Sequence, residues 1–202
     1  MRSLLLSIIV LATAVSVAHS QPPSAAQRRS SKSQKISASE LIAAIKNNFG
    51  SSVRVATESS PYYLLGDFNG DGFKDIAVLI YPKDAQADLE AAGVKYIEVD
   101  PSSPQNGHEL NLKGATFNYC AGVAVMHGTK EGVLQSPGAK YFFYECFTPF
   151  RLVPRSTTIR NRYRSVKERP PKLKGDAIYL YLERDASSLV YWTGKTYRGY
   201  YQ

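Results

Sequence analysis

Cysteine and histidine are scarce in this chain, with two of the first and three of the second among 202 residues. No C-x-x-C pair occurs, and His19, His108 and His127 are scattered, so a local thiolate or imidazole zinc site is excluded. Signatures of common catalysts are missing as well. There is no G-x-S-x-G, no H-E-x-x-H and no Walker loop. After residue 20 no segment approaches eighteen uninterrupted apolar residues, which excludes a further hydrophobic transmembrane helix. No unit of the sequence repeats, so nothing points to a solenoid or a propeller.

What is present begins with an export signal. Arg2 supplies a positive start, Leu4 to Val17 is almost wholly apolar, and Ala18-His19-Ser20 offers small residues at the −3 and −1 positions of a cleavage site. The pattern predicts a signal peptide over 1–20 and a secreted or periplasmic chain starting at Gln21; the rival reading is an uncleaved membrane anchor. In an oxidising compartment the pair Cys120 and Cys146 is expected to form a disulfide. Closing that loop of 27 residues is worth roughly 3.5 kcal/mol in the chain-entropy account.

Charge is unevenly spread along the chain, whose formal net charge is +8. Residues 51–150 carry seven basic and twelve acidic residues, whereas 151–174 carry nine basic and one acidic. Residues 21–36, rich in Ser, Gln, Arg and Lys, read as a disordered tether. Ser37 and Glu40 then match a capping box, and Leu41, Ile42, Ile45 and Phe49 recur at helical spacing before Gly50, predicting a helix over about 38–49. A second short helix is expected between Asp84 and Ala92. Strand patterns follow at 53–57, 62–65, 76–81, 94–99, 116–126 and 141–146. A terminal meander over 177–182, 189–192 and 196–201 turns at Thr193-Gly194. The expected class is α+β, with a mainly antiparallel sheet of about eight or nine strands and one or two helices in one domain over 37–202.

The densest chemistry lies at Asp67-Phe68-Asn69-Gly70-Asp71-Gly72-Phe73-Lys74-Asp75. Oxygen-bearing side chains occupy positions 1, 3, 5 and 9, with glycines at 4 and 6. Calcium favours six to eight hard oxygen ligands in flexible geometry, so the spacing predicts a calcium loop; magnesium fits poorly with so many protein oxygens. Three carboxylates this close would repel one another without a cation. The rival is an acidic, glycine-rich turn with no ion.

An EF-hand would continue into a helix with an acidic residue at position 12. Here that position is Val78, inside the strand pattern Asp75-Ile76-Ala77-Val78-Leu79-Ile80. The stretch Gly66 to Val78 instead resembles the FG-GAP/VCBS calcium loops of integrin alpha chains and secreted bacterial proteins, over roughly 20 of 202 residues. That resemblance implies calcium held by Asp67, Asn69, Asp71, the Phe73 carbonyl and Asp75, with Asp75 closing the site through both oxygens, in a structural role. Those families repeat the unit, and this chain has one copy, so a propeller is not implied.

Arg160, Arg162 and Arg164 alternate within the basic segment, so on a strand they would share one face. They could take an anionic glycan, lipid or acidic protein; the rival is a solvated loop between strands. Export argues against nucleic acid. The tyrosines and tryptophan of the last 26 residues could bind sugars or simply cover a core. His127 with a neighbouring carboxylate, or a pair of acids, would permit a secreted glycan hydrolase, but no spacing selects them. The leading expectation is an exported, non-enzymatic, calcium-binding protein of a bacterial envelope or medium.

Overall fold

The computed structural model describes residues 36–113, 115–117, 120–144, 150–161, 169–181 and 187–201. The expected signal peptide, residues 21–35 of the expected tether, Cys146, Arg162 and Arg164 lie outside the described residues. From residue 36 onward the chain groups into one compact unit.

Among the described residues there are two helices and eleven strands. In chain order they are α1 (Ala38–Phe49), β1 (Arg54–Val55), β2 (Tyr63–Gly66), β3 (Asp75–Tyr81), α2 (Gln86–Ala91), β4 (Lys95–Ile97), β5 (Glu109–Leu110), β6 (Gly122–Met126), β7 (Lys140–Phe143), β8 (Phe150–Val153), β9 (Ala177–Tyr181), β10 (Ser187–Trp192) and β11 (Tyr197–Arg198). The class is α+β. No described helix is long and apolar enough to cross a membrane.

Helix α1 begins where its sequence signals place it. The Glu40 N–H donates to Ser37 Oγ at 3.2 Å while the Ser37 N–H donates to Glu40 Oε2 at 3.0 Å, so two otherwise unpaired donors are met reciprocally. Gly50 ends the helix at φ 106°, a backbone conformation that other residues adopt only with strain. Leu41, Ile45 and Phe49 are buried on one stripe.

That stripe packs on the first sheet, ordered β1-β3-β6-β7-β4-β5, in which β2 also pairs with β3. All its pairings are antiparallel except β4 with β7. Strand β3 is buried on both faces because it lies between two layers. Ile76, Val78 and Ile80 meet α1 residues, while Ala77 and Leu79 meet Phe150, Ile178, Leu180 and Val190 of a second sheet. The apolar run of β3 therefore reflects a central position, and each fully buried aliphatic side chain contributes about 1.5–3 kcal/mol.

The second sheet runs β11-β10-β9-β8, entirely antiparallel. Its outer face is covered in part by Ile159, which packs with Ala177, Tyr179, Leu189 and Tyr200. Two strands, β5 and β8, exceed the sequence expectation. β8 opens the basic segment, and its Phe150-Arg151-Leu152-Val153 alternation is too short to stand out among flanking charges. Its partner β9, which fixes its register from Phe150↔Leu180 to Val153↔Ala177, lies some 27 residues later in the chain.

These layers bring three distant segments together. The loop 67–74 closes the β2–β3 hairpin, with Gly66 paired to Asp75. Met126 at the end of β6 faces Ile76, so His127 and Gly128 emerge beside that loop. Residues 174–176 lead into β9 on its other side.

Candidate functional site

The loop is built from its own backbone amides. Asn69 Oδ1 accepts from the Asp71 N–H at 2.9 Å, Asp71 Oδ1 from the Phe73 N–H at 2.8 Å, and Asp67 Oδ2 from the Gly72 N–H at 3.1 Å. Gly70 and Gly72 adopt φ of 79° and 92°, the left-handed turns that wrap the backbone around these oxygens. The expected strand-loop-strand arrangement is therefore present, with a strand and no helix after the loop.

Asp75 is buried completely. Its Oδ2 accepts from the Phe68 N–H at 2.6 Å and the Asn69 N–H at 3.1 Å, and its Oδ1 accepts from the Gly128 N–H at 2.7 Å. It ties both ends of the loop and the chain after β6 to one carboxyl group. Burial pushes its pKa up to about 7, outweighing the opposing pull of those three N–H groups. A carboxylate offers about four lone-pair positions, so one remains, on Oδ1. Oδ1 is therefore the Asp75 oxygen with room for one further partner.

Two further contacts press on the loop. Gly175 packs so closely that a Cβ there would come within 2.4 Å of the Asp67 carbonyl oxygen, and a Cβ on Gly128 within 2.1 Å of that of Lys74. Asp176 reinforces the first contact. Its Oδ2 accepts from the Asp67 N–H at 3.0 Å, its N–H donates to the Asp67 carbonyl at 2.7 Å, and its Oδ1 accepts from the Arg155 N–H at 2.9 Å. Sequence reasoning missed Asp176, Gly128 and Gly175. Nothing local marks them, because their partners lie 50 to 110 residues away.

His127 is likewise a member that spacing could not select. It is buried, with Nδ1 3.3 Å from Asn69 Nδ2 and Nε2 2.7 Å from Tyr197 Oη. Burial lowers its pKa to about 4, against the raising effect of the Asp71 charge, so the ring is neutral at ordinary pH. The Asn69 amide donates to Nδ1, which leaves the proton on Nε2 to be donated to Tyr197. Asparagine at position 3 of the loop thus fixes the imidazole tautomer, since its amide nitrogen can only donate to Nδ1. Its other amide contact is Asp71 Oδ2 at 2.8 Å. The Tyr197 hydroxyl, also buried, is pushed well above its ordinary pKa by desolvation and then by the Asp75 charge. Tyr141, Trp192 and Tyr197 pack around the imidazole at ring-centroid distances of 4.9, 5.3 and 5.8 Å. His127 thus has an amide and a phenol as partners, and among the described residues no carboxylate hydrogen-bonds to it as the orienting group of a general base.

For a hard cation the donor set is right in kind. Asp67, Asn69 and Asp71 are all oxygen donors, and Asp67 Oδ1 is buried without a hydrogen-bond partner. Among the described residues no three His, Cys, Asp or Glu side chains converge as a ready-made metal cluster. Phe73 presents its N–H to Asp71 and leaves its ring 44 % exposed.

The other expected sites are placed as follows. Cys120 is disulfide-bonded, and its expected partner Cys146 lies outside the described residues. Arg160 is exposed on the wall of a groove beside β8, whereas its expected companions Arg162 and Arg164 lie outside the described residues. Glu90 and Glu109 line a second depression of about 420 Å³, but both are exposed. Compared with known proteins, the chain matches no family model, no curated protein and no solved structure.

Proposed function

We propose that this chain is an exported, non-enzymatic calcium-binding protein of a bacterial envelope or extracellular medium, with an FG-GAP/VCBS-type loop in a structural role. Asp67, Asn69, Asp71 and the Phe73 carbonyl would hold the ion, with Asp75 Oδ1 as the remaining donor. Calcium supplies there a divalent charge that offsets the mutual repulsion of Asp67 and Asp71.

The observation that carries the reading is Asp67 Oδ1, a buried carboxylate oxygen with no partner, in a loop whose other donors are hard oxygens. The surroundings favour stapling over signalling. The loop is gripped by Gly128 from the first sheet and by Gly175 and Asp176 from the entry to the second, so tightening it tightens the contact between the sheets.

Thermal unfolding tests this. At calcium about 100 times its Kd the folded state gains about 2.7 kcal/mol, a rise in Tm of roughly 5–10 °C for a chain of this size. Asp71→Ala is expected to abolish the increment. Identical melting curves of the wild-type protein in calcium and in chelator overturn the proposal.

A further inference from the structure

We propose that the outer face of the second sheet, beside the edge strand β8, binds an anionic polysaccharide bearing carboxylate or sulfate groups. The site is separate from the acidic loop and does not rest on the calcium reading.

A groove of about 560 Å³ runs between β8 and the returning segment 157–161. Arg151, Thr157, Thr158 and Arg160 line it. Its wall is anchored, because Ile159 is buried against Ala177, Tyr179, Leu189 and Tyr200. Thr157 begins the return through a turn in which its N–H donates to the Pro154 carbonyl at 2.8 Å.

Arg151 is already placed for an anion. Its guanidinium lies 4.3 Å over the Tyr179 ring. Stacking occupies the flat face of the group and leaves the N–H edge to meet a carboxylate or sulfate in plane. The molecule contains an internal contrast. Arg54 stacks on Tyr81 at 4.0 Å in the same way, but Glu58 lies 3.3 Å from its Nη1 and answers its charge. Among the described residues neither Arg151 nor Arg160 has an ion pair, whereas Arg155 reaches Asp67 at 3.9 Å. The surrounding stretch 151–174 holds nine basic residues against one acidic. Such an excess of positive charge, with Arg151 and Arg160 unanswered by any acid among the described residues, complements a polyanion.

Tyr181 narrows the class of partner. It follows Tyr179 by two residues on β9, so it shares that outer face, and it is 45 % exposed. An exposed tyrosine beside a stacked arginine offers a flat apolar surface for a pyranose ring and a fork for its acidic substituent. A plain polyanion such as polyglutamate would use the charge and have no use for the ring.

The full chain after signal removal is titrated with heparin, as the sulfated probe, and polygalacturonate, as the carboxylated one. Dextran and polyglutamate serve as neutral and peptide comparisons. Binding is expected to at least one of the two anionic polysaccharides, to weaken as salt rises, and to be absent for dextran and much weaker for polyglutamate. Arg151→Ala and Arg160→Ala are each expected to weaken it about tenfold, the scale of a lost charge-assisted hydrogen bond. Tyr181→Ala is expected to weaken the polysaccharide more than polyglutamate, and Arg54→Ala to change nothing. Should Arg151→Ala fail to fold, Arg151→Lys keeps the charge and the cover over Tyr179 but loses the fork, and is still expected to bind less tightly. Absence of binding to both polysaccharides overturns the proposal. So does equal affinity for polyglutamate, or an Arg54→Ala loss as large as that of Arg151→Ala.

Discussion

The acidic loop at 67–75 and the basic groove at 151–161 are opposites in how their polar groups are met. In the loop five of the seven side-chain oxygens of Asp67, Asn69, Asp71 and Asp75 answer backbone amides, and Asp75 alone holds three such bonds. In the groove Arg151 and Arg160 answer to no acidic side chain among the described residues. The difference separates two kinds of charged segment. A charge turned inward and satisfied contributes to folding, and its removal leaves buried donors unpaired. A charge turned outward and unanswered contributes little to folding and is available to a partner.

Substitutions can sharpen or break that contrast. The largest effect is expected from Asp75→Ala, which strands the Phe68, Asn69 and Gly128 amides; at about 1–3 kcal/mol each, with partial relief from water, a loss of roughly 3–5 kcal/mol should appear in denaturant unfolding. Gly175→Ala comes next. The added methyl meets backbone on the loop side, and a cost of about 1–3 kcal/mol is expected by the same measurement. Tyr197→Phe removes the partner of the His127 Nε2 proton and should cost about 1 kcal/mol. Arg151→Ala gives up the stack on Tyr179 and should cost no more than about 0.5–1 kcal/mol while weakening polysaccharide binding. If Arg151→Ala destabilised the fold as much as Asp75→Ala, the contrast would be lost.

The local parts of the fold were legible in the chain. Ser37, Glu40 and Gly50 mark α1 because capping is settled within four residues. The apolar run of Ile76 to Ile80 marks a strand buried on both faces, and the loop spacing marks a hairpin closed by Asp75. β8 was not legible, since four residues among arginines carry too little pattern and its register comes from β9. His127 was legible only as an isolated histidine. Its role depends on Asn69, 58 residues earlier, and on Tyr197, 70 residues later.

The sequence by itself determined a strand-loop-strand unit rich in hard oxygen donors and a strongly basic segment, because spacing and composition set local turns and charge. Tertiary structure decided what those oxygens face. It buried Asp75 beneath Gly128, set Gly175 and Asp176 against Asp67, and left one Asp67 oxygen without a partner. It also separated two arginine–tyrosine stacks of similar geometry into one that is neutralised and one that is not. The physical reason is common to both: hydrogen bonding and charge pairing depend on distances in space, and the chain sets those distances only when its sheets pack.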